Sequence, residues 1–281
     1  VLDAAGQVVM DADIAMYSAK AAGKARFVVF QPHMQEQLHD RLLLEQDIDL
    51  ALARKEFFVE YQPVVDLTSR ELLGVEALVR WMHPQRGLLM PGTFIQTAEE
   101  TGLIRELGLW TLDAACAQLA SWKAAGLHPG RIAVNVSALQ FRDQRLPQVL
   151  QSALQTYDIQ PGELELELTE STLMADTEAA QATVASLREL GVALAIDDFG
   201  TGYSSLSYIK RLRPDKLKID RSFGKDLPAD ADDRALTEAI VSIAQALSIT
   251  VVAEGVETPE QRDYLLGLGC RLQQGYLLGR P

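Results

Sequence analysis

Adjacent carboxylates end one of the most apolar stretches of the chain. Asp197 and Asp198 follow the run at residues 192–196, and Gly200, Thr201 and Gly202 come directly after them. Two neighbouring carboxylates at a strand end repel each other unless solvent or a cation screens them. The glycines that follow permit a sharp loop. This stretch is therefore either a solvated turn or part of a metal site.

Other apolar runs end in the same way. Seven of the eight predicted strands end in an acid, an amide or a cation; besides Asp197 and Asp198, these residues are Glu76, Arg80, Asn135, Glu167, Glu170, Lys218, Asp220, Glu254, Glu257 and Gln274. Each has an ordinary explanation: Glu165 and Glu167 alternate with leucines, as on a strand with one solvated face, and Lys218 could be a local counter-ion. However, five strands that bring carboxylate or amide oxygens to one end of a sheet would repel strongly without cations.

The ligand chemistry of this set favours Mg2+ or Mn2+ over zinc, because the oxygens are hard and no paired His or Cys accompanies them. Two ions are expected from the combined set Glu76, Asn135, Glu167, Asp197, Asp198 and Glu254. Paired metals serve in-line displacement at phosphorus. The residues alone therefore predict metal-assisted phosphoester hydrolysis.

Alternating strands and helices must position these residues. Strands are predicted at residues 57–65, 72–81, 132–136, 164–168, 192–196, 216–219, 250–253 and 271–274. Helices are predicted at residues 93–100, with Thr93 as a cap, and at 104–125, 146–157, 177–190, 204–211, 234–247 and 259–268. The first two strands are joined by a turn too short for a parallel crossover, so they form an antiparallel hairpin. The pattern predicts an α/β fold, a TIM-like (β/α)8 barrel with one antiparallel strand; an open doubly wound sheet is the competing architecture.

The segment before the barrel divides into two parts. A helix at residues 11–24 and a strand at residues 26–30 are too little to bury a core, so residues 1–33 are interpreted as the remnant of a preceding domain. Residues 34–54 form a connector helix that packs on the barrel, and residues 55–281 form the barrel itself.

Composition excludes several classes of function. The 281 residues are 48% hydrophobic, yet no apolar run approaches a membrane span and no secretory signal is present, so a cytoplasmic protein without membrane contact is expected. Cys116 and Cys270 support neither a disulfide framework nor a thiolate metal site. The net charge of −13 disfavours duplex nucleic acid as a partner, although a bound cation would still admit an anionic substrate.

The motifs at the strand ends, in their order along the chain, resemble the signature of EAL domains, which are cyclic di-GMP phosphodiesterases. The matching stretches are Glu76-Ala-Leu78, Asn135-Val-Ser137, Glu167-Leu-Thr-Glu170, Asp197-Asp-Phe-Gly-Thr-Gly-Tyr-Ser-Ser-Leu206, Lys218-Ile-Asp220, Glu254-Gly-Val-Glu-Thr258 and Gln274-Gly-Tyr276. The resemblance covers about residues 42–281. Leu278 departs from it, since the family often has an aromatic residue there.

The resemblance implies hydrolysis of cyclic di-GMP to linear 5′-pGpG by in-line attack of water, assisted by two ions of Mg2+ or Mn2+. Glu254 would position or deprotonate the water and belong to the metal site, and Lys218 would hold the nucleophile and stabilise charge on the phosphate. One ion would be bound by Glu76, Asn135, Glu167 and Asp197, and Asp198 would help to hold the second. Substrate contacts are implied for Gln62, Leu78, Arg80, Asp220 and Gln274.

The resemblance also implies supporting residues and partners. Glu170 and Glu257 would lie behind the site, and Glu170 would anchor the loop that contains Phe199, Gly200, Thr201 and Gly202. That loop would couple the site to a homodimer formed through the barrel. Residues 12–24 resemble the last helix of a GGDEF, or diguanylate cyclase, domain, so further domains of a parent signalling protein, which could itself be membrane-anchored, are expected as partners.

Two alternatives remain at this point. A degenerate EAL domain can act as a catalytically weak or inactive receptor that binds cyclic di-GMP. A Schiff-base lyase would instead use Lys218 as the nucleophile. It leaves the carboxylate cluster unexplained.

Overall fold

A closed barrel of eight strands organises the computed structural model, which describes residues 4–21, 27–174, 177–201, 209 and 212–281. The strands are β1 (Phe57–Asp66), β2 (Glu71–His83), β3 (Gly87–Leu89), β4 (Arg131–Asn135), β5 (Leu164–Thr169), β6 (Ala193–Phe199), β7 (Lys216–Ile219), β8 (Thr250–Ala253) and β9 (Leu272–Gln273). Their order is β1-β9-β8-β7-β6-β5-β4-β2-β3, and an additional pairing of β1 with β2 closes the ring. The predicted barrel is confirmed, and the open doubly wound sheet was the wrong alternative.

Strand β1 is the antiparallel member of the barrel. It pairs antiparallel with both β2 and β9, whereas the pairings from β2 through β4 to β9 are parallel. The hairpin prediction is therefore confirmed. The short strand β3 pairs antiparallel with β2 outside the ring. This strand was not predicted from the sequence.

Helices pack around the outside of this barrel. Their bounds are Ala4–Ala21, Pro32–Arg54, Pro91–Thr101, Ile104–Ala124, Ala138–Phe141, Leu146–Thr156, Glu170–Met174, Thr177–Leu190, Arg221–Gly224, Ala231–Ala246 and Pro259–Gly267, with a 3-10 turn at Pro161–Glu163. The predicted helix at residues 204–211 lies almost entirely outside the described residues. None of the helices within the described ranges is both long and apolar enough to cross a bilayer.

Three local predictions were wrong. Residues 27–30 do not form a strand, and the first helix begins at Ala4 rather than at residue 11. Thr93 is not a helix cap, because that helix begins at Pro91, with Met90 at the cap position and no side-chain cap. Proline suits the first turn of a helix, since its fixed φ is already helical and its missing N–H is not needed there.

Alternation along the strands separates an outer core from the barrel interior. On β5, Leu164, Leu166 and Leu168 are fully buried and belong to the large cluster between sheet and helices. Glu165 and Glu167 are also buried, at 2% and 3% exposure, and lie on the opposite side of the strand, inside the barrel. The alternative interpretation, that Glu165 and Glu167 lie on a solvated face of this strand, is therefore wrong.

The barrel interior is layered. A small apolar cluster of Val64, Val252 and Leu272, with Leu73 packed against it, lies apart from the large outer core. Polar side chains lie on either side of it along the barrel axis, because the inward positions of each strand recur every second residue. β5 and β7 thus each place one charged residue at the amino end and one at the carboxyl end of the interior.

The helix Pro32–Arg54 packs against the hairpin side of the barrel. Its Leu44 and Ile48 are buried in an apolar cluster with Phe57 and Trp81. Asp47 Oδ2 lies 3.2 Å from Nε2 of the buried His83 at the end of β2. This helix is therefore joined to the same strand that carries Glu76.

Candidate active site

Lys218 occupies the centre of the carboxyl-end layer of the barrel. Its Nζ lies 2.8 Å from Glu167 Oε2, 3.2 Å from Glu76 Oε2, 3.3 Å from Asp197 Oδ1 and 2.5 Å from Glu254 Oε1. The lysine side chain is 2% exposed. Four carboxylates from four segments thus surround a single ammonium: their meeting was predicted from the strand ends, whereas the central position of Lys218 was not.

The excess of carboxylates over cations shifts the pKa values of the groups in this cluster. Burial and the neighbouring Glu76 raise the pKa of Glu167 well above its usual value. Burial also raises the pKa of Glu254 to about 8, with Lys218 opposing the shift and Asp197 reinforcing it. The pKa of Lys218 is raised well above its usual value because the carboxylates around it outweigh the effect of burial. Without a divalent cation to neutralise them, carboxylates this close retain protons.

Two amides hold Glu76 in a defined orientation. Asn135 Nδ2 donates to Glu76 Oε1 at 2.8 Å, and Gln274 Nε2 donates to Glu76 Oε2 at 2.7 Å. Burial opposes ionisation of Glu76, but Lys218 and these two donors outweigh it and lower its pKa. Glu76 is therefore kept as an anion despite its burial.

A chain of amides continues from Gln274 towards the C-terminus. Gln274 Nε2 also donates to Gln62 Oε1 at 3.0 Å, and Gln62 Nε2 donates to the Gly279 carbonyl at 3.2 Å. Within the described part of the chain, the buried Oε1 of Gln274 has no hydrogen-bond partner. A buried amide oxygen without a donor suits a site that binds a cation or a ligand N–H.

Asp197 and Asp198 lie at an irregularity of β6. The pairing with β7 shifts register between Ile196 and Phe199, and Asp198 has a left-handed φ of 53°. The Asp198 backbone N–H donates to Asp197 Oδ1 at 3.0 Å. This bulge keeps consecutive carboxylates at the same mouth of the barrel, although regular alternation would direct them to opposite faces.

Asp198 shares a hydrogen bond with Asp220. Burial raises the pKa of Asp198 to about 6, and Asp197 and Asp220 add to the shift. The Asp220 carboxylate accepts from the Ser222 backbone N–H at 2.9 Å and caps the short helix that follows. Burial raises the pKa of Asp220, but this cap and the bond from Asp198 outweigh it and lower the pKa. Asp220, predicted to contact substrate, is therefore connected to the acidic cluster through Asp198.

Three of the carboxylates form a candidate cation site. One oxygen each of Asp197, Asp198 and Glu254 lies within 4.8 Å of the other two. The other predicted metal ligands, Glu76, Asn135 and Glu167, adjoin this group but are engaged with Lys218 or with each other. All six predicted ligands thus lie in one cluster.

A cavity of about 220 Å³ opens onto the cluster. Of the predicted site residues, it is lined by Gln62, Glu76, Leu78, Asp197, Glu254, Glu257 and Gln274. Arg221, Gly255, Gly275 and Tyr276 also line it. Arg221 was not predicted as a site residue, although its position directly after Asp220, at a strand end, could have indicated it.

The remaining predicted residues lie around this cavity or outside the described ranges. Arg80 is 4% exposed, and its Nε donates to Glu60 Oε2 at 2.7 Å, so its guanidinium does not line the cavity. Glu170 is buried and begins the helix after β5. Phe199 is buried, and Thr201 Oγ1 donates to the Asp198 carbonyl at 2.8 Å.

Gly200 has a φ of 99°, and a Cβ there would lie 2.9 Å from the ring of Phe223. Glycine is therefore needed at this position for both backbone and space. Gly202 lies outside the described residues, as does most of the loop that Glu170 was predicted to anchor.

The electrostatics of Lys218 oppose the Schiff-base lyase. A lysine nucleophile must be neutral, which requires a lowered pKa, whereas the four carboxylates raise the pKa of Lys218. The ammonium is suited instead to holding an anionic group within the cluster.

Comparisons with known proteins agree on one family for this chain. A family model described as "EAL domain" matches residues 45–281. The bifunctional diguanylate cyclase/cyclic di-GMP phosphodiesterase MucR of Pseudomonas aeruginosa is 46% identical over 98% of this chain and 40% of its own length. The cyclic di-GMP phosphodiesterase PdeR of Escherichia coli is 39% identical over 98% of this chain and 41% of its own length.

A solved structure is similar as well. The structure described as "PaMucR Phosphodiesterase, c-di-GMP complex" superposes with a TM-score of 0.82 at 48% identity, covering 85% of this chain and 97% of that one. The chain spans about two-fifths of the length of the curated relatives named above.

Proposed function

This chain belongs to the EAL domain family, and on that premise we propose that it hydrolyses one phosphodiester bond of cyclic di-GMP to give linear 5′-pGpG. The observation that carries the proposal is the convergence of four carboxylates on Lys218 beside a cavity. Relatives named as cyclic di-GMP phosphodiesterases support the choice of substrate. Because those relatives are longer, the proposal concerns this segment and not the activity of a whole protein.

The residues present fit a divalent cation. Four carboxylates face one ammonium, and the Gln274 amide oxygen is buried without a donor among the described residues. Glu76, Asn135, Glu167 and Asp197 would hold one Mg2+ or Mn2+, and Asp198, with Asp197 shared and Glu254 beside it, a second. Such ions supply a nucleophilic hydroxide at neutral pH and stabilise the oxygens around phosphorus.

The protein's own groups supply the remaining chemistry. Glu254, whose carboxylate lines the cavity beside Asp197 and Asp198, would accept a proton from the attacking water. Lys218, with its raised pKa, keeps a positive charge next to the phosphate oxygens. The amides of Asn135 and Gln274 keep Glu76 oriented.

Substrate recognition would use the cavity wall and its surroundings. Gln62 and Leu78 line the cavity, Asp220 directly precedes the lining residue Arg221, and Arg80 lies two residues beyond Leu78 on β2. Arg80 is held by Glu60, so it would contact a phosphate only if this ion pair opened or were shared. A forked guanidinium donor suits that role.

The deciding experiment is incubation of the purified chain with cyclic di-GMP and Mg2+, with and without EDTA, followed by chromatography of the products. We expect 5′-pGpG only when the metal is present, and loss of turnover in Glu76→Ala. The matched control is Glu71→Ala, an exposed carboxylate at the start of the same strand, which should retain turnover. Binding of cyclic di-GMP without metal-dependent turnover would instead identify the chain as a receptor.

The expected assembly also belongs to this proposal. A homodimer through the barrel, coupled to the loop after β6, and a cytoplasmic setting beside other domains of a parent signalling protein are proposed from the resemblance. Residues 1–33 are proposed as the end of a preceding GGDEF domain. Sedimentation of the purified chain with and without Mg2+ and substrate tests the dimer.

A further inference from the structure

A second cavity lies at the opposite, amino-terminal end of the barrel. Its volume is about 520 Å³, more than twice the 220 Å³ of the acidic cavity. Its walls come from the ends of β1 and of the helix Ile104–Ala124, the segment before β4, the 3-10 turn before β5, and the amino ends of β7, β8 and β9. Cavities of this size accept small organic ligands.

The charge of this cavity is opposite to that of the chain as a whole. Four cations from four different elements line it, namely Lys123, Arg131, Lys216 and Arg271, against the two carboxylates Asp66 and Glu163. The net charge of the protein is −13. A local excess of cations in an acidic protein focuses positive potential within a concave surface.

The cations differ in how far they are already neutralised. Lys216 Nζ lies 2.9 Å from the buried Glu165, the Arg131 guanidinium lies 3.6 Å from the same carboxylate, and Lys123 Nζ lies 2.7 Å from Glu163. Arg271 is exposed at the rim and makes no ion pair with any residue that the structure describes. Its guanidinium is therefore available to an anion from solvent.

The wall of the cavity is mostly apolar between these charges. Leu73, Leu119 and Leu272 contribute to it. Gly130 allows the segment before β4 to approach β2, since its φ is +81° and a Cβ there would lie 2.1 Å from the Leu73 carbonyl oxygen. A cationic rim over an apolar wall is complementary to an anion that carries an apolar body.

We propose that this amino-end cavity is a second binding site, for a small organic anion in which a phosphate, carboxylate or sulfonate is attached to an apolar or aromatic body. Arg271 contacts the anionic group, Lys123 and Arg131 in the same cavity wall add positive charge, and the leucines contact the body. The site is separate from that of the proposed hydrolysis, because the acidic cluster lies at the other end of the barrel, and in EDTA its carboxylates repel an anion.

The test uses anilinonaphthalene sulfonate, a fluorescent aromatic anion, titrated into the full chain in EDTA and followed by fluorescence and calorimetry. We expect binding of one equivalent that is weakened about tenfold or more in Arg271→Glu, since a charge-assisted contact is replaced by repulsion. Leu73→Trp, which fills the cavity without changing charge, should weaken it similarly. Arg142→Glu, an exposed charge reversal at the other end of the barrel, should bind as the unmodified chain does.

Phenylnaphthylamine, the same aromatic body without the sulfonate, provides the second arm and should bind at least tenfold more weakly. Unfolding temperatures within about 2 °C of the unmodified chain show that the variants are folded. Equal affinity of Arg271→Glu and Arg142→Glu for the sulfonate would overturn the proposal. So would equal binding of the uncharged probe, or binding that Leu73→Trp leaves unchanged.

Discussion

The two ends of the barrel interior contain the same pair of residue types with opposite consequences. At the amino end, Lys216 on β7 faces Glu165 on β5, with Arg131 3.6 Å from the same carboxylate. Two residues further along both strands, Lys218 faces Glu167 and three more carboxylates. A buried glutamate matched by cations has its charge neutralised within the protein, whereas a surplus of carboxylates requires cations from outside.

The comparison shows that charge balance, rather than burial, distinguishes a structural ion pair from a functional one. Glu165 and Glu167 are equally buried and occupy equivalent positions on one strand. Their neighbours differ because Glu76, Asp197 and Glu254 lie around Lys218, the partner of Glu167, and not around Lys216. The following predictions test this distinction, beginning with the largest expected effect.

Replacing Lys218 or Lys216 by methionine should give the largest difference in turnover between the two ends of the barrel. Lys218→Met should lower kcat for cyclic di-GMP by about 100- to 1,000-fold, because it removes a buried cation that stabilises charge on the phosphate. Lys216→Met should retain turnover within about threefold of the unmodified chain at a temperature where it is folded. Single-turnover assays check both, and similar losses in the two variants would contradict the comparison.

At the amino end, replacing the lysine should change the stability of the protein rather than its turnover. Lys216→Met should lower the free energy of unfolding by about 3 kcal/mol, because it leaves Glu165 buried without its closest cation. The double variant Lys216→Met/Glu165→Gln should recover part of this loss, since the uncompensated charge is then gone. Urea denaturation measures both, and a double variant less stable than Lys216→Met would show that the pair is not what Lys216 stabilises.

Divalent metal should stabilise the protein through the carboxyl end only. At a concentration 100 times its dissociation constant, Mg2+ should raise the free energy of unfolding by about 2.7 kcal/mol. Asp197→Asn should lose most of this gain, whereas Glu165→Gln should keep it relative to its own metal-free state. Thermal unfolding with Mg2+ and with EDTA provides the measurement, and an equal gain in Asp197→Asn would place the metal elsewhere.

Metal affinity should fall as the pH is lowered. Below its pKa of about 8, Glu254 holds a proton that must leave when a cation binds, so affinity is highest above pH 8 and decreases towards pH 6. One coupled proton corresponds to about tenfold in affinity per pH unit. Calorimetry in buffers of different ionisation enthalpy counts the released protons, and Glu254→Gln should release about one fewer. Equal release from Glu254→Gln would assign the proton to another group.

Much of the fold was predictable because local periodicity reports burial directly. The strand β7 is four residues long, and its predicted and observed bounds coincide. By contrast, residues 27–30 have the apolar, β-branched composition of a strand but do not form one, and Phe27 is 90% exposed. A strand needs a partner as well as a composition, and local sequence does not provide the partner.

The candidate site was predictable for a related reason. In a parallel barrel the carboxyl ends of the strands must meet, so Glu76, Asn135, Glu167, Asp197 and Glu254 were brought together by topology alone. The short edge strand β3 was missed because three residues carry too little pattern. Arg221 was missed because the predicted strand-end residues stopped at Asp220, and Arg221 reaches the cavity from the helix of four residues that follows.

The sequence by itself determined the order of the elements, the antiparallel start of the barrel and the set of side chains gathered at its carboxyl end. Only the tertiary structure decided that Lys218 lies at the centre of that set, that Arg80 is held by Glu60, and that a cationic cavity lies at the other end. The physical reason is that alternation along a strand specifies which face a residue takes. Its charge partners come from segments far away in the chain, and only barrel closure sets the distances in space between that residue and those partners.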